Sequence, residues 1–213
     1  MLVSGAGTNL RALLDAARHP EYPGEIVLVI SNRSDAGALD VAARFGVAAS
    51  ALPLSKFSGD ASARDRAMLQ ALREAKVELV VCAGYNRILN QDVLDAFPDA
   101  MINVHPSLLP AFAGGMHAIE DALAHGVKVT GCTVQLLEPG EPDGGPIILQ
   151  AAVEVRDDDT VERLRERVHR AEWRLLPEAV RLWAEHRLVR EGRQIRIVEA
   201  PSRQAAAVHS RTV

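Results

Sequence analysis

The sequence has little cysteine, no long apolar run and no block of like charges. Its two cysteines, Cys82 and Cys132, are too few and too far apart for a metal site of the paired-cysteine kind. No apolar run approaches the roughly 20 residues that span a bilayer, and the opening residues MLVSGAG contain no basic leader. The net charge of −4 comes from interspersed acids and bases, without the basic stripe typical of nucleic-acid binding. These absences predict a cytoplasmic protein with no membrane and no nucleic-acid partner.

The sequence does contain an alternation of apolar, strand-like runs and amphipathic, helix-like segments. EIVLVIS, VELVVCAG and AMINV are of strand length, and TNLRALLDAARH and DASARDRAMLQALREAK have helical spacing of apolar residues. This alternation predicts an α/β fold, with a doubly wound, mostly parallel sheet and helices on both faces. We expect one domain over residues 1–198 and a mobile tail over residues 199–213, which lack periodicity.

Two segments near the C-terminus depart from this alternation. The strands VKVTGCTVQLL and PIILQAAVEV are joined by a loop too short for a crossover, so we expect that pair to be antiparallel. A long final helix over about TVERLRERVHRAEWRLLPEAVRLWAEH is followed by one short β segment, RQIRIV. In sheets of this kind, ligands bind beyond the carboxyl ends of the strands, where the strand order reverses.

The first candidate site is SGAGTNL, a glycine turn between the first strand and the first helix. Its glycines permit a tight turn and a close approach of the backbone, and Thr8 or Asn9 can cap the helix. Backbone N–H groups and the positive end of the helix dipole at such a turn suit a phosphate. Leu10 stands where a dinucleotide fingerprint needs its third glycine, so a phosphomonoester fits better. The alternative is an ordinary capped turn.

The second candidate site is GYNRILN, which also directly follows a buried strand. The backbone from Asn86 to Leu89 can meet a flat heterocycle, with Ile88 and Leu89 as an apolar wall. The alternative is a strand-to-helix loop in which Arg87 is solvated or ion-paired, and spacing alone favours this alternative.

The third candidate is the end of the strand AMINVHPSLLP. Side chains alternate faces along a strand, so Asn103 and His105 are predicted to project to the same side and Val104 to the other. An amide beside a titratable imidazole at the carboxyl end of a strand is typical of a functional site, although a lone histidine is more often structural or exposed.

The fourth candidate is EPGEPDGGPI, in which Asp143 precedes two glycines and a proline. The functional interpretation is a carboxylate held near His105, where its charge would favour the imidazolium. The alternative is an Asx turn, for which this sequence is well suited. Five other histidines are predicted to be surface residues, because no partner is evident for His19, His125, His169, His186 or His209.

These four stretches, in this order, resemble the phosphoribosylglycinamide formyltransferases, which are folate-dependent enzymes of purine synthesis. The resemblance runs from about residue 1 to about residue 198, with SGAGTNL, GYNRIL, INVHPSLLP, GVKVTGCTV and DGGPII as its most specific pieces. NVHPSLLP alone is shared with methionyl-tRNA formyltransferase and formyltetrahydrofolate deformylase. The resemblance implies the Rossmann-like formyltransferase fold, glycinamide ribonucleotide as substrate, 10-formyltetrahydrofolate as co-substrate, no metal, and a monomer or homodimer.

Residue by residue, the resemblance implies a catalytic trio of Asn103, His105 and Asp143. It assigns substrate binding to Gly7, Thr8, Asn9 and Glu172, the last of which matches a family glutamate near the substrate amine. It assigns folate binding to Asn86, Arg87, Ile88, Leu89, Asn103, Glu138, Pro139, Gly140, Glu141, Pro142 and Asp143. Gln135 stands where many members have histidine.

The implied chemistry is attack of the substrate amine on the formyl carbon. Asn103 and a protonated His105 would donate to the developing oxyanion, and Asp143 would keep the imidazole charged and assist proton transfer. A deformylase, which transfers the formyl group to water, would keep the trio but needs no phosphate site, so SGAGTNL counts against it. A nucleotide-binding oxidoreductase or a plain binding module would leave the trio unexplained.

Overall fold

The structure, a computed structural model, describes residues 1–140 and 142–199. Glu141 and all but the first residue of the predicted tail therefore lie outside the described residues. The strands are β1 (Leu2–Val3), β2 (Leu28–Ser31), β3 (Ala48–Ala51), β4 (Val80–Ala83), β5 (Met101–His105), β6 (Val129–Leu136), β7 (Ile147–Glu154), β8 (Leu188–Glu191) and β9 (Gln194–Ile197). The helices are α1 (Thr8–Ala17), α2 (Gly37–Arg44), α3 (Ala61–Glu74), α4 (Gln91–Asp95), α5 (Ala118–Ala124) and α6 (Val161–Ala184).

The strands form one sheet in the order β3-β2-β1-β4-β5-β6-β7-β9-β8. All pairs from β3 to β5 are parallel, which confirms the predicted α/β class with a mostly parallel sheet. The predicted antiparallel pairing of β6 with β7 is also observed. β5 and β6 are antiparallel as well, which the sequence pattern did not indicate. Since β6 runs back from the end of the sheet at which β5 finishes, this connection needs no crossover.

Both faces of the parallel half of the sheet are covered by helices, which explains why its strands read as continuous apolar runs. Val3, Val29 and Val81 belong to the core cluster that includes residues of α1, α2 and α6. Their chain neighbours Leu2 and Val80 point the other way and pack with residues of α3 and α4. Burying a side chain of this size contributes about 1.5–3 kcal/mol, so the two clusters together fix the sheet between its helices.

The strand order reverses between β1 and β4, because the chain runs outward from β1 through β2 to β3 and then resumes on the other side of β1 with β4. Such a reversal opens a crevice at the carboxyl ends of the two strands. The residues that follow β1, β4 and β5 meet there, and they are SGAGTNL, GYNRILN and the segment after His105.

The C-terminal part differs from the sequence-based expectation in one respect. The predicted long helix is observed as α6, and it contains Pro177. It is followed by a hairpin of β8 and β9 rather than by a single β segment, and Gln194 of β9 joins the sheet beside Ile147 of β7. Among the described residues, no helix combines the length and the apolarity needed to cross a membrane.

Candidate active site

The glycine turn after β1 leaves the start of α1 without a side-chain cap. The capping residue is Gly7, with a φ of 82°, so the expectation that Thr8 or Asn9 caps the helix is wrong. Glycine is required at position 7 twice over, because its φ is positive and a Cβ there would lie 2.7 Å from the Cα of Ala38. Uncapped N–H groups at a helix start are the groups that bind anions in proteins.

This turn forms one end of a cavity of about 320 Å³. All four predicted substrate residues line that cavity: Gly7, Thr8, Asn9 and Glu172. The glycine turn and Glu172 lie near opposite ends of the chain. They are brought together because α1 and α6 pack against each other.

Glu172 is a carboxyl group buried at the wall of this cavity, with 4% of its surface exposed. Burial raises its pKa to about 7, and a hydrogen bond from Asn9 partly opposes that rise. Asn9 Nδ2 donates to Glu172 Oε2 over 2.8 Å, whereas Asn9 Oδ1 is buried without a partner. The pair thus offers the cavity two functional groups, the unpaired acceptor Asn9 Oδ1 and the Glu172 carboxyl, whose pKa lies near neutral pH.

Replacing Glu172 by glutamine is expected to change the pH dependence of stability. The pKa of this carboxyl is raised on folding, so the stability it contributes is present below its unfolded value of 4.5 and lost as the pH rises through about 7. Glutamine resembles the protonated acid. Between pH 5 and pH 8.5, the free energy of unfolding of the variant should therefore rise by up to roughly 3 kcal/mol relative to that of the native protein. Denaturant titrations at both pH values measure the gain.

The exposed Glu166 on the same helix provides the matched control for that measurement, because its carboxylate has 61% of its surface exposed. Glu166→Gln should follow the native pH dependence. Parallel pH curves for Glu172→Gln and the native protein would contradict the raised pKa of Glu172.

Three further charged or titratable side chains line the same cavity and were not selected from the sequence: Glu120, Arg165 and His169. Arg165 Nη2 and Glu120 Oε1 form an ion pair at 2.6 Å. Burial, and secondarily the nearby Arg165, lowers the pKa of His169. His169 is therefore half-buried at the cavity, and the expectation of a surface residue is wrong. The spacing of Arg165, His169 and Glu172 along one helix face is the signal that could have revealed them.

A second, larger cavity of about 810 Å³ lies beyond β4 and β5. Most of the predicted folate residues line it, namely Asn86, Arg87, Ile88, Leu89, Asn103, Glu138, Gly140, Pro142 and Asp143. Pro139 does not line it, although Glu138 and Gly140 on either side of it do. Ile88 has 84% of its surface exposed, so this wall offers an apolar side chain to a ligand.

Asp143 reaches the end of β5 and meets both residues predicted to work with it. Its Oδ2 lies 3.3 Å from His105 Nδ1, and its Oδ1 accepts from Asn103 Nδ2 over 3.4 Å. Oδ2 also accepts from the backbone N–H of Gly114 over 2.9 Å. The described hydrogen bonds of its carboxylate all lead to other segments, so the Asx-turn alternative is not the arrangement observed.

The loop that places Asp143 is tightly constrained. Asp143 itself has a φ of 56°, in the left-handed region that aspartate and asparagine tolerate better than most residues. A Cβ on Gly145 would overlap the carbonyl oxygen of Leu136 in the adjacent strand. Only glycine therefore allows this part of the loop to approach β6 so closely.

His105 is buried, with 5% of its surface exposed, and both of its ring nitrogens face acceptors. Nδ1 faces the Asp143 carboxylate, and Nε2 lies 3.0 Å from the carbonyl oxygen of Phe112. Only a ring with a proton on each nitrogen satisfies both partners. The geometry therefore places a hydrogen-bond acceptor on each side of the ring, one of them a carboxylate.

Gln135 completes this cluster and was noted in the sequence only as a departure from the family. It pairs with Asn103 across β5 and β6, is fully buried, and donates from Nε2 to Asp143 Oδ1 over 3.1 Å. Its Oε1 is buried without a partner. A glutamine inside the otherwise apolar end of strand GCTVQLL is the signal that identifies it.

The two cavities are contiguous, because four residues line both: Gly84, Val104, Pro106 and Met116. Asn103 and His105 flank Val104 at this junction and face the larger cavity. A ligand with an anionic group at the glycine turn and a second, apolar ligand would therefore meet beside the Asn103–His105–Asp143 cluster.

Comparison with known proteins matches residues 1–180 to the formyl transferase family. The chain is similar to the phosphoribosylglycinamide formyltransferase of Mycobacterium tuberculosis, with 42% identity over 91% of this chain and 87% of that protein. It is also 42% identical, over 86% of its length, to the bovine trifunctional purine biosynthetic protein adenosine-3, of whose length it spans only 18%. Among solved structures, glycinamide ribonucleotide transformylase 1 from Symbiobacterium toebii superposes with a TM-score of 0.89 at 49% identity, covering 93% of this chain and 92% of that one.

Proposed function

The chain belongs to the formyl transferase family, and from this premise we propose that it formylates the amine of glycinamide ribonucleotide with 10-formyltetrahydrofolate in purine biosynthesis. The observation that supports this most directly is the junction of two contiguous cavities beside Asn103, His105 and Asp143. One cavity begins at an uncapped helix start suited to a phosphate, and the other has an apolar wall suited to a heterocycle.

The smaller cavity suits the ribonucleotide. Its phosphate would bind the backbone N–H groups from Gly7 to Asn9, and Glu172 would lie at the amine end. The larger cavity suits the folate, whose flat ring would lie against the segment Asn86–Leu89 and the loop from Glu138 to Asp143. This division requires the amine and the formyl group to meet at the shared residues between the cavities.

The proposed reaction moves one carbon without a change of oxidation state. A bond forms between the amine nitrogen and the formyl carbon, and the bond from that carbon to the folate nitrogen breaks. The proton lost by the attacking amine ends on the leaving nitrogen. In the tetrahedral intermediate between these events, negative charge resides on the former formyl oxygen, and this charge is what the protein must stabilise.

Asn103 and His105 are the proposed donors to that oxygen. The Asn103 amide is held only loosely by Asp143, at 3.4 Å, so it loses little when it turns toward a ligand. The imidazolium of His105 adds a full positive charge in a buried site, where electrostatic interactions are stronger than in water. A single preorganised donor of this type typically contributes about 3 kcal/mol to lowering the barrier.

Asp143 is proposed to act through its charge and as a proton carrier. As a carboxylate beside Nδ1 it would balance the charge of an imidazolium, and through a water it can pass the amine proton toward the leaving nitrogen. The amide of Gln135 and the N–H of Gly114 hold the carboxylate in place, so Gln135 is a positioning residue for this step.

The experiment that tests the function follows loss of the formyl group from 10-formyltetrahydrofolate. We expect rapid loss with glycinamide ribonucleotide, and no loss when the amine is left out. The dephosphorylated riboside should react with a much higher KM and a similar kcat, because it lacks only the group bound at the glycine turn. Loss at the same rate without any amine would instead identify a deformylase and contradict the proposal. Equal KM values for the ribonucleotide and the riboside would contradict the phosphate assignment.

A further inference from the structure

The polar residues Ser4, Asn32 and Asn86, which follow β1, β2 and β4, form a closed hydrogen-bonded ring. Ser4 Oγ donates to Asn32 Oδ1 over 2.6 Å, and Asn32 Nδ2 donates to Asn86 Oδ1 over 2.9 Å. The backbone N–H of Asn86 closes the ring by donating to Ser4 Oγ over 3.0 Å. Ser4 and Asn32 are buried, so these polar groups depend on each other for hydrogen bonds.

The ring joins two segments that the sheet holds together only weakly. Ser4 immediately precedes the glycine turn of the smaller cavity, and Asn86 lies in the wall of the larger one. β1 is only two residues long, and the described ladder between β1 and β4 consists of the single pair Leu2 and Cys82. Beyond that pair, the Asn86 N–H donates directly to Ser4 Oγ, and the side chain of Asn32, which follows β2, holds both partners of that bond.

We propose that Asn32 is a positioning residue that fixes the phosphate turn relative to the folate wall, and so sets the distance between the amine and the formyl carbon. This inference rests on the proposed function for its meaning in catalysis. Asn32 is absent from the lining of both cavities, and its side chain bonds Ser4 and Asn86, so its effect would be exerted through those two residues. Reactions between two bound partners are sensitive to such placement, and an error of about 1 Å can cost about a hundredfold in rate.

Asn32→Ala is the test variant. Its kcat should fall about 10- to 100-fold, whereas the Kd of each substrate measured alone should change less than about threefold, since each segment keeps its own fold. Hydrogen exchange in the unliganded protein should become faster at the same time over residues 4–9 and residues 84–90. Asn32→Asp, which still accepts from Ser4 and can accept from a rotated Asn86 amide, should restore most of kcat.

Arg33→Ala is the matched control, because Arg33 is the exposed neighbour of Asn32 and its guanidinium pairs with Asp35. It should leave kcat and the exchange of both segments unchanged. Two results for Asn32→Ala would overturn the proposal. One is hydrogen exchange that becomes faster in only one of the segments 4–9 and 84–90, or in neither; the other is a native kcat. Exchange is measured without substrates, so it decides the role of Asn32 even if the native protein transfers no formyl group, a result that would count against the proposed function instead.

Discussion

Replacing His105 by asparagine is expected to lower kcat at least about a thousandfold, because the change removes both the proposed charged donor to the oxyanion and the ring whose charge Asp143 is proposed to balance. The affinity for glycinamide ribonucleotide should stay within a few-fold of the native value. The reason is spatial, since the phosphate turn from Gly7 to Asn9 lines the smaller cavity, whereas His105 lines the larger one. Single-turnover rates and equilibrium binding measure the two quantities separately.

His19→Asn provides the control for that experiment, because His19 is exposed after the end of α1 and lines neither cavity. Its kcat should equal the native value. Turnover by His105→Asn within about tenfold of native would remove the imidazolium from the mechanism, since a donor of this kind alone is worth about a hundredfold or more.

Replacing Asp143 by asparagine should lower kcat about 100- to 1,000-fold with the fold intact. Asparagine tolerates the positive φ at this position, so the loop can keep its path, but the neutral amide no longer balances the charge of His105. The new NH2 group would also replace one of the two carboxylate oxygens, and so would face a donor, either the N–H of Gly114 at the Oδ2 position or the amide of Gln135 at the Oδ1 position.

The double variant distinguishes an effect through His105 from an independent one. If Asp143 acts through the imidazole, His105→Asn combined with Asp143→Asn should be little slower than His105→Asn alone. Multiplication of the two losses would show that Asp143 has a separate role. Asp157→Asn, which changes a carboxylate with 92% of its surface exposed, should leave kcat unaltered.

Local regularities made part of the site predictable. The two-residue period of a strand placed Asn103 and His105 on one side, and both contact Asp143 in the structure. The glycines of SGAGTNL predicted the turn, since Gly7 adopts a backbone conformation that other residues rarely reach. The proximity of these two stretches followed from parallel strands whose carboxyl ends share one edge of the sheet.

Contacts between distant segments were not predictable from local pattern. No spacing rule connects Asp143 to His105, because the path of the loop between β6 and β7 depends on the close approach of Gly145 to β6. The ring of Ser4, Asn32 and Asn86 joins three loops that follow three different strands, and each residue alone resembles an ordinary turn residue. His169 lacked an evident partner because the cavity it lines exists only after α6 packs on the sheet.

The close approach of Gly145 to β6 has a practical consequence for anyone who diversifies this protein in the laboratory. Libraries aimed at an altered ligand preference can randomise positions 138 and 139, whereas Gly140, with a φ of 119°, and Asp143 and Gly145 should be left fixed in every clone. A library that varies these fixed positions would consist largely of members in which the contact between Asp143 and His105 is lost. Such members would have to be screened out before any ligand preference could be selected.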